Sequence, residues 1–281
     1  MTTDRRSHSW TTDLVVLVVL IAGLLIAVAP MLVMVSTAFK GQAYVQEIPP
    51  RLLPSNPTVE NFEVAFTSRN FGRAFLNSTI VAVATALIVT GLSSMTAYAF
   101  ARFDFRGKNV IFAVLLVMIM IPGVVLLIPQ FMLARNLGLI NSLQGLILVY
   151  SAGPLAFNTF LLRGFFENLP RELEEAAIID GANALTIFLR VMLPLAAPAV
   201  STVAVFAFLG AWDEYVLALN FLNDESLRTL PVAIANFRGQ HATNWGLVFA
   251  GSLTAVIPTV ALFVFFQRYF IQGLTSGGVR G

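Results

Sequence analysis

The 281-residue chain has no cysteine. Disulfides, thiolate nucleophiles and cysteine metal sites are therefore excluded. Charge is scarce too: Asp, Glu, Lys and Arg make up 11% of the residues, against about 25% in an ordinary soluble domain. The two histidines, His8 and His241, lie in a terminal and a loop segment, so no metal site is predicted. A formal net charge of +2 with no basic stripe argues against nucleic-acid binding. No GxxxxGK[ST] phosphate loop occurs, so nucleotide is not bound by that route. Neither an HExxH motif nor a Ser/His pair at membrane depth is found, and no catalytic residue is predicted. What the chain does have is apolar: 57% of it is hydrophobic. That balance indicates an all-α, polytopic membrane protein.

Crossing the hydrocarbon core takes about 20 mostly apolar residues. Six stretches qualify: Leu14–Ala38, Leu76–Ala101, Val110–Ala134, Leu143–Leu162, Leu193–Asn220 and Leu247–Phe270. Each must be helical, because lipid offers no partner to an open backbone. The first run is too long for a signal-peptide core of about 7–15 residues, so it reads as a retained span preceded by a segment 1–13. Internal prolines (Pro30, Pro122, Pro129, Pro154, Pro198, Pro258) are read as ordinary for packed membrane helices.

Arg5, Arg6, Arg102, Arg106, Lys108, Arg163, Arg171, Arg190, Arg268 and Arg280 all fall on one side of this arrangement. By the positive-inside rule that side is the cytoplasm. Lys40, Arg51, Arg69, Arg73, Arg135, Arg228 and Arg238 fall on the other, mostly in longer loops where the rule is weak. Both termini, Arg106 and Asp180 are thus expected inside, and Gln46 and Asn236 outside. Outside, 41–73 is proline-rich with an amphipathic piece near Val59–Phe66, and a short helix is expected at Leu230–Phe237.

Between spans four and five the chain turns polar and acidic. Glu172, Glu174, Glu175 and Asp180 crowd one short run. Pro170 suits a first helical turn, and carboxylates there oppose the helix dipole favourably. Ala176 and Ala177 are small and helix-forming. Gly181 stands where a left-handed C-terminal cap is expected. Beyond it Leu185, Phe188, Leu189 and Met192 repeat at helical spacing, predicting one apolar face against the membrane domain. This segment, about 168–190, reads as a helix available to a partner outside the bilayer.

The order Glu175-Ala176-Ala177, three residues, Gly181, nine residues, then Val191-Met192-Leu193-Pro194 resembles the EAA signature of ABC importer permeases. Val191 departs mildly from the commoner isoleucine. Further strings fit the same family: Asn77-Ser78-Thr79, Ala97 to Phe103, Ile121-Pro122-Gly123, Asn136 to Leu139, Thr159 to Phe166, Thr229 to Val232 and the tail Gly273 to Gly281. Their shared order is similar to the second permease subunit of carbohydrate importers of the maltose-transporter type.

The resemblance implies six spans with a cytoplasmic coupling helix, in a bacterial inner-membrane protein. It also implies a second homologous permease, two ATPase subunits that carry ATP and Mg, an extracytoplasmic solute-binding lipoprotein or periplasmic protein, and no cofactor in this chain. ATPase coupling maps onto Glu174, Glu175, Ala176, Ala177, Asp180, Gly181, Leu193 and Pro194, with Glu175 pairing a basic residue of the ATPase. The tail from residue 271 or 272 to Gly281 is expected to reach between the ATPases. The solute is expected to be a sugar or sugar-like compound, the alternatives being a polyol phosphate or, further off, a secondary transporter. The last would need carboxylates deep in the bilayer, and spans one to four have none.

Trp212, Asp213 and Glu214 fall about 27 Å beyond Pro194, near the outer end of span five. They read either as lining a solute path or as interfacial groups, with Trp212 as a belt anchor. Asn158, Thr159 and Asn220 read as path residues or interhelical hydrogen-bonders. Asn77 is a further candidate for capping the second span.

Overall fold

The computed structural model describes residues 10–45, 47–49, 51–68, 70–239 and 243–277, with backbone only at 11–12 and 269–277. Arg5, Arg6, His8, Gln46, His241 and the last residues of the tail lie outside them. Among the described residues there is no β-strand, only the isolated bridges Lys40–Pro57 and Arg238–Thr243. The helices are α1 (Trp10–Ala38), α2 (Glu60–Thr67), α3 (Phe71–Arg102), α4 (Lys108–Ile119), α5 (Leu127–Asn136), α6 (Leu143–Ala152) and α7 (Leu155–Glu167). They continue as α8 (Glu172–Ile179), α9 (Ala184–Ile187), α10 (Leu193–Leu195), α11 (Ala197–Trp212), α12 (Val216–Phe221), α13 (Leu230–Ala235) and α14 (Trp245–Gly277).

Three helices are long and apolar enough to span a bilayer unbroken, at Asp13–Ala38, Phe71–Arg102 and Trp245–Arg268. Three further spans are bent pairs. Lys108–Ile119 meets Gly123–Asn136 at 97°, Leu143–Ala152 meets Leu155–Glu167 at 47°, and Ala184–Leu195 meets Ala197–Trp212 at 82°. The six expected spans thus correspond to three straight helices, two broken ones, and a fifth that bends at 82° from the segment leading into it. The causes are local. Pro122-Gly123 and Gly153-Pro154 each pair a missing N–H with a residue of low helix propensity. Pro194 and Pro198 flank the bend at Ala196. The expected span five also stops early, at Trp212, and Asn220 belongs to α12. α14 runs through Gly277, so the first residues of the expected tail continue the last span as helix.

The chain forms two compact units, Met1–Arg69 with Ile234–Thr254, and Asn70–Ala233 with Ala255–Gly281. In the first, α1 is apolar on every face and exposed from Leu14 to Ile26, as a lipid-facing helix should be. Its last carbonyls need partners. The Ser36 and Thr37 carbonyls accept from Phe39 N and Lys40 N at 3.2 and 3.1 Å, and the amide of buried Asn61 of α2 donates to the carbonyls of Ala38 at 2.8 Å and, just beyond the helix, Lys40 at 2.7 Å. Gly246 makes room for this: a Cβ there would sit 2.6 Å from Asn61 Oδ1.

In the second unit α3 is central, packed by α11, α7 and α6. Its buried face is mostly small (Ala74, Ser78, Ala82, Ala86, Ser93, Ala97), which lets neighbouring backbones approach closely. Against it stand Leu162 and Phe166 of α7 and Val203 and Phe208 of α11, all buried. α4 lies on α7, where the Arg163 guanidinium covers the Phe112 ring at 3.9 Å and pairs Glu167 at 2.8 Å.

Asn77 does not cap the second span, because α3 begins earlier, at Phe71. Its amide instead donates to the carbonyls of Ser226 and Arg228, both at 3.0 Å. Ser78 Oγ accepts from Leu230 N at 2.8 Å. On the other flank Asn141, left-handed at φ 58, accepts from the backbone N–H of Asn223 and Asp224 at 3.0 and 2.9 Å. The loop 222–230 is therefore held from two sides. Within it Asp224 accepts from Ser226 N at 2.8 Å, which holds its carboxyl below the usual carboxylate range.

Candidate functional site

The acidic segment folds as α8, a tight turn and α9. α8 starts at Glu172, two residues after Pro170, so the proline precedes the helix rather than sitting in its first turn. Glu172, Glu174 and Glu175 fill that turn, where the free N–H groups favour carboxylates. Gly181 adopts φ +79. Gly181 N donates to the Ile178 carbonyl at 2.9 Å and Ala182 N to the Ala177 carbonyl at 3.0 Å, the paired bonds of a Schellman turn. Asn183 then caps α9 by accepting from Thr186 N at 2.9 Å.

The two neighbouring glutamates face different ways. Glu175 and Ala176 are exposed, as are Asp180 and Gly181, and Ala177 is half-buried. Glu174 turns inward: its Oε1 lies 2.6 Å from Arg102 Nε at the end of α3, with side chains 16% and 5% exposed. Tyr98 OH donates to Glu174 Oε2 at 3.5 Å, and Arg102 Nη2 donates to the Leu169 carbonyl at 2.7 Å. Of the carboxylates assigned to partner contact, Glu174 is thus held within this chain. Arg102 and Tyr98 lie inside the string Ala97 to Phe103, yet nothing in the sequence pairs them with a residue more than seventy positions on.

The apolar face predicted after Gly181 is corrected. Ile187, Phe188 and Met192 are buried, whereas Leu185 and Leu189 are 60% and 49% exposed. Phe188–Met192 is a π-helix, with Leu193 N donating to the Phe188 carbonyl, and its wider turn shifts the phase of the repeat. Pro194 follows directly, half of the Leu193-Pro194 pair, and has no N–H to continue an α-helical ladder. Phe188 packs on Tyr98 and Phe166, with ring centroids at 5.2 and 6.5 Å. Leu193 is half-buried and Pro194 exposed.

A cavity of about 450 Å³ lies among the first two helix breaks and the interruption after α11. Gly123 and Val124 line it from the first break, Gly153 and Pro154 from the second, Glu214 and Val216 from the interruption after α11. Irregular backbone at membrane depth is tolerated where protein buries it or where it lines a cavity. The walls are mainly apolar, with Gln130, Tyr150 and Glu214 as polar groups. Glu214 is well satisfied: it accepts from Leu217 N at 2.8 Å, Ala218 N at 3.1 Å, and Tyr150 OH. It therefore caps α12 and ties it to α6.

The other predicted path residues do not line this cavity. Trp212 is 2% exposed. Its Nε1 donates to the Ala255 carbonyl at 3.1 Å, and its ring stacks on Phe208 at 5.6 Å. It packs within the core between α11 and α14. Asn158 and Thr159 are buried. Asn220 is exposed, with its amide folded back on the Val216 carbonyl at 2.6 Å, and Asp213 is exposed. Among the described residues no three His, Asp or Glu side chains are grouped to hold a metal ion.

Six apolar spans, the acidic α8 turn and a cavity among broken helices describe a multi-pass transport subunit. Residues 90–276 match the family of binding-protein-dependent transport system inner membrane components, and the chain belongs to it. Over 279 residues the chain is 36% identical to the trehalose transport system permease SugB of Mycobacterium tuberculosis, covering 99% of each protein. It is 37% identical to the sulfoquinovosyl glycerol transport system permease SmoH of Agrobacterium fabrum, covering 87% of this chain and 86% of that one. Among solved structures, it resembles a chain of a bacterial ABC transporter that imports the acidic polysaccharide alginate. The TM-score is 0.78 at 26% identity, over 92% of this chain and 96% of that one.

Proposed function

We propose that this chain is one permease subunit of an ATP-driven importer for a sugar-class solute, with an oligosaccharide or glycoside as cargo. The relatives' cargo supports the substrate class: trehalose, sulfoquinovosyl glycerol and alginate. A second permease completes the membrane pore. An extracytoplasmic binding protein delivers the solute, and two ATPases dock on the cytoplasmic side, where we also place both termini, Arg106 and α8. ATP and Mg²⁺ belong to those ATPases, since this chain has no phosphate loop, and the chain itself is not an enzyme.

The observation that carries the docking site is the division of α8. Glu175, Ala176, Asp180 and Gly181 are exposed, while Glu174 and Phe188 hold the segment onto α3 and α7. An exposed carboxylate beside small residues offers a basic partner surface a charge at close approach, and a charge pair in a partly desolvated interface matters by about 2–5 kcal/mol when one side is removed. Glu175→Lys should therefore abolish ATPase co-purification, with the permease still inserted in the membrane. Wild-type recovery of the ATPase with this variant would remove α8 from the docking site.

On the solute side, the Glu214–Tyr150 cavity supports a path beside the first two helix breaks and the interruption after α11. Tyr150 donates to Glu214, which leaves its oxygen lone pairs as acceptors. Acceptors on apolar walls suit the hydroxyls and apolar ring faces of a sugar.

A further inference from the structure

We infer that Arg102 is a positioning residue for coupling. With Glu174 it forms a strut that passes motion of α8 to α3, and through α3 to the loop at its far end. The inference rests on ATPase docking at α8, as proposed above.

Arg102 grips the α7–α8 connection at two points. Nε faces Glu174 at 2.6 Å and Nη2 holds the Leu169 carbonyl at 2.7 Å. One planar fork thus spans the turn from before α8 into its first helical turn, a geometry a lysine cannot reproduce. The Arg102 side chain is 5% exposed, so solvent does not loosen the contact. Tyr98, one turn earlier on α3, touches both Glu174 and Phe188. α8 therefore cannot shift without moving the end of α3 or breaking this contact.

What α3 does with that motion follows from its build. It is one uninterrupted helix of 32 residues with no proline, about 48 Å long. The bent spans of the same unit break at 97°, 47° and 82°. α3 is the stiff member among hinged ones. Its other end carries Asn77 and Ser78, which hold the backbone at Ser226, Arg228 and Leu230. The exposed Glu175 receives the partner, and the half-buried Glu174 next to it hands the displacement to α3.

The test uses the full complex in proteoliposomes, with the other subunits freed of reactive cysteine. Trehalose, raffinose, diacetylchitobiose and arabinotriose are screened, and the sugar imported fastest by the wild type is used. The readout is sugar imported per ATP hydrolysed, beside ATPase attachment. Arg102→Gln should keep the ATPase attached while lowering the ratio by roughly two- to thirtyfold, the span of known coupling effects. Arg102→Lys should recover part of it. Arg102→Cys with Glu174→Cys should regain the ratio when bridged by a short bis-methanethiosulfonate and lose it again on reduction. A wild-type ratio in Arg102→Gln would overturn the strut, as would a bridged pair that stays uncoupled. Loss of ATPase attachment in Arg102→Gln would also overturn it, reducing the pair to a fold contact. Failure of the parent reading appears in the wild-type complex, failure of the strut only in the variants.

Discussion

Two glycines of the second unit are required for different physical reasons. Gly181 sits at φ +79, and a Cβ added there would meet nothing within 4 Å, so only backbone strain opposes a side chain. Gly181→Ala should cost about 1 kcal/mol, and Gly181→Asn less, because asparagine tolerates the left-handed region. Loss of ATPase attachment in Gly181→Asp beyond that in Gly181→Asn would report the docking surface rather than the turn. Gly145 has ordinary helical backbone, but a Cβ there would overlap the Leu139 carbonyl. Gly145→Ala should destabilise by about 1–3 kcal/mol, as overpacking does, read as a lower melting temperature in detergent. No such drop would mean that the 139–145 turn yields to an added methyl group. Gly181 was legible in the sequence because it ends a helical run. Gly145 was not, since its obstacle comes from a turn whose path no local pattern states. The same limit applied to Glu174 and Glu175: adjacent identical residues differ only in that one turns to α3 and the other is exposed.

Among the elements, the sequence placed the spans well and their breaks poorly. Pro30 and Pro258 lie inside continuous helices, while Pro122 and Pro154, each beside a glycine, mark sharp bends. Pro30 and Pro258 were tolerated by their helices, whereas the first two bends pair proline with glycine and the third, at Ala196, lies between Pro194 and Pro198. The interruption after Trp212 has another origin. Glu214 supplies a cap for α12 from its own carboxylate, and Tyr150 fixes that carboxylate from α6. Glu214→Ala should therefore lower the melting temperature, by the loss of a cap worth about 0.5–2 kcal/mol, and also reduce solute uptake. Asp213→Asn, at an exposed position away from the cavity, should change neither. Equal loss of uptake in both variants would contradict the division between a cavity-lining Glu214 and an outward Asp213.

The whole molecule, as an importer subunit, needs a fixed topology and an energy source outside the chain. The absence of cysteine makes the first directly readable. Asp180→Cys and Arg106→Cys should resist an impermeant thiol reagent on intact cells and react in inverted vesicles, while Asn236→Cys should do the reverse. Labelling of Asp180→Cys from outside would invert the arrangement. Fold class and family were legible because lipid permits few backbone solutions and because the α8 spacing is specific. The inward pairing of α8 and the cavity were not, since both join residues far apart in the chain. The central claim is that this chain carries a sugar only when an ATPase acts on α8. Its most direct measurement is uptake of labelled sugar into proteoliposomes holding the chain, its second permease, the ATPases and the binding protein. Uptake should need both ATP and the binding protein and should be abolished by Glu175→Lys. Uptake driven by an ion gradient without ATP would contradict that claim.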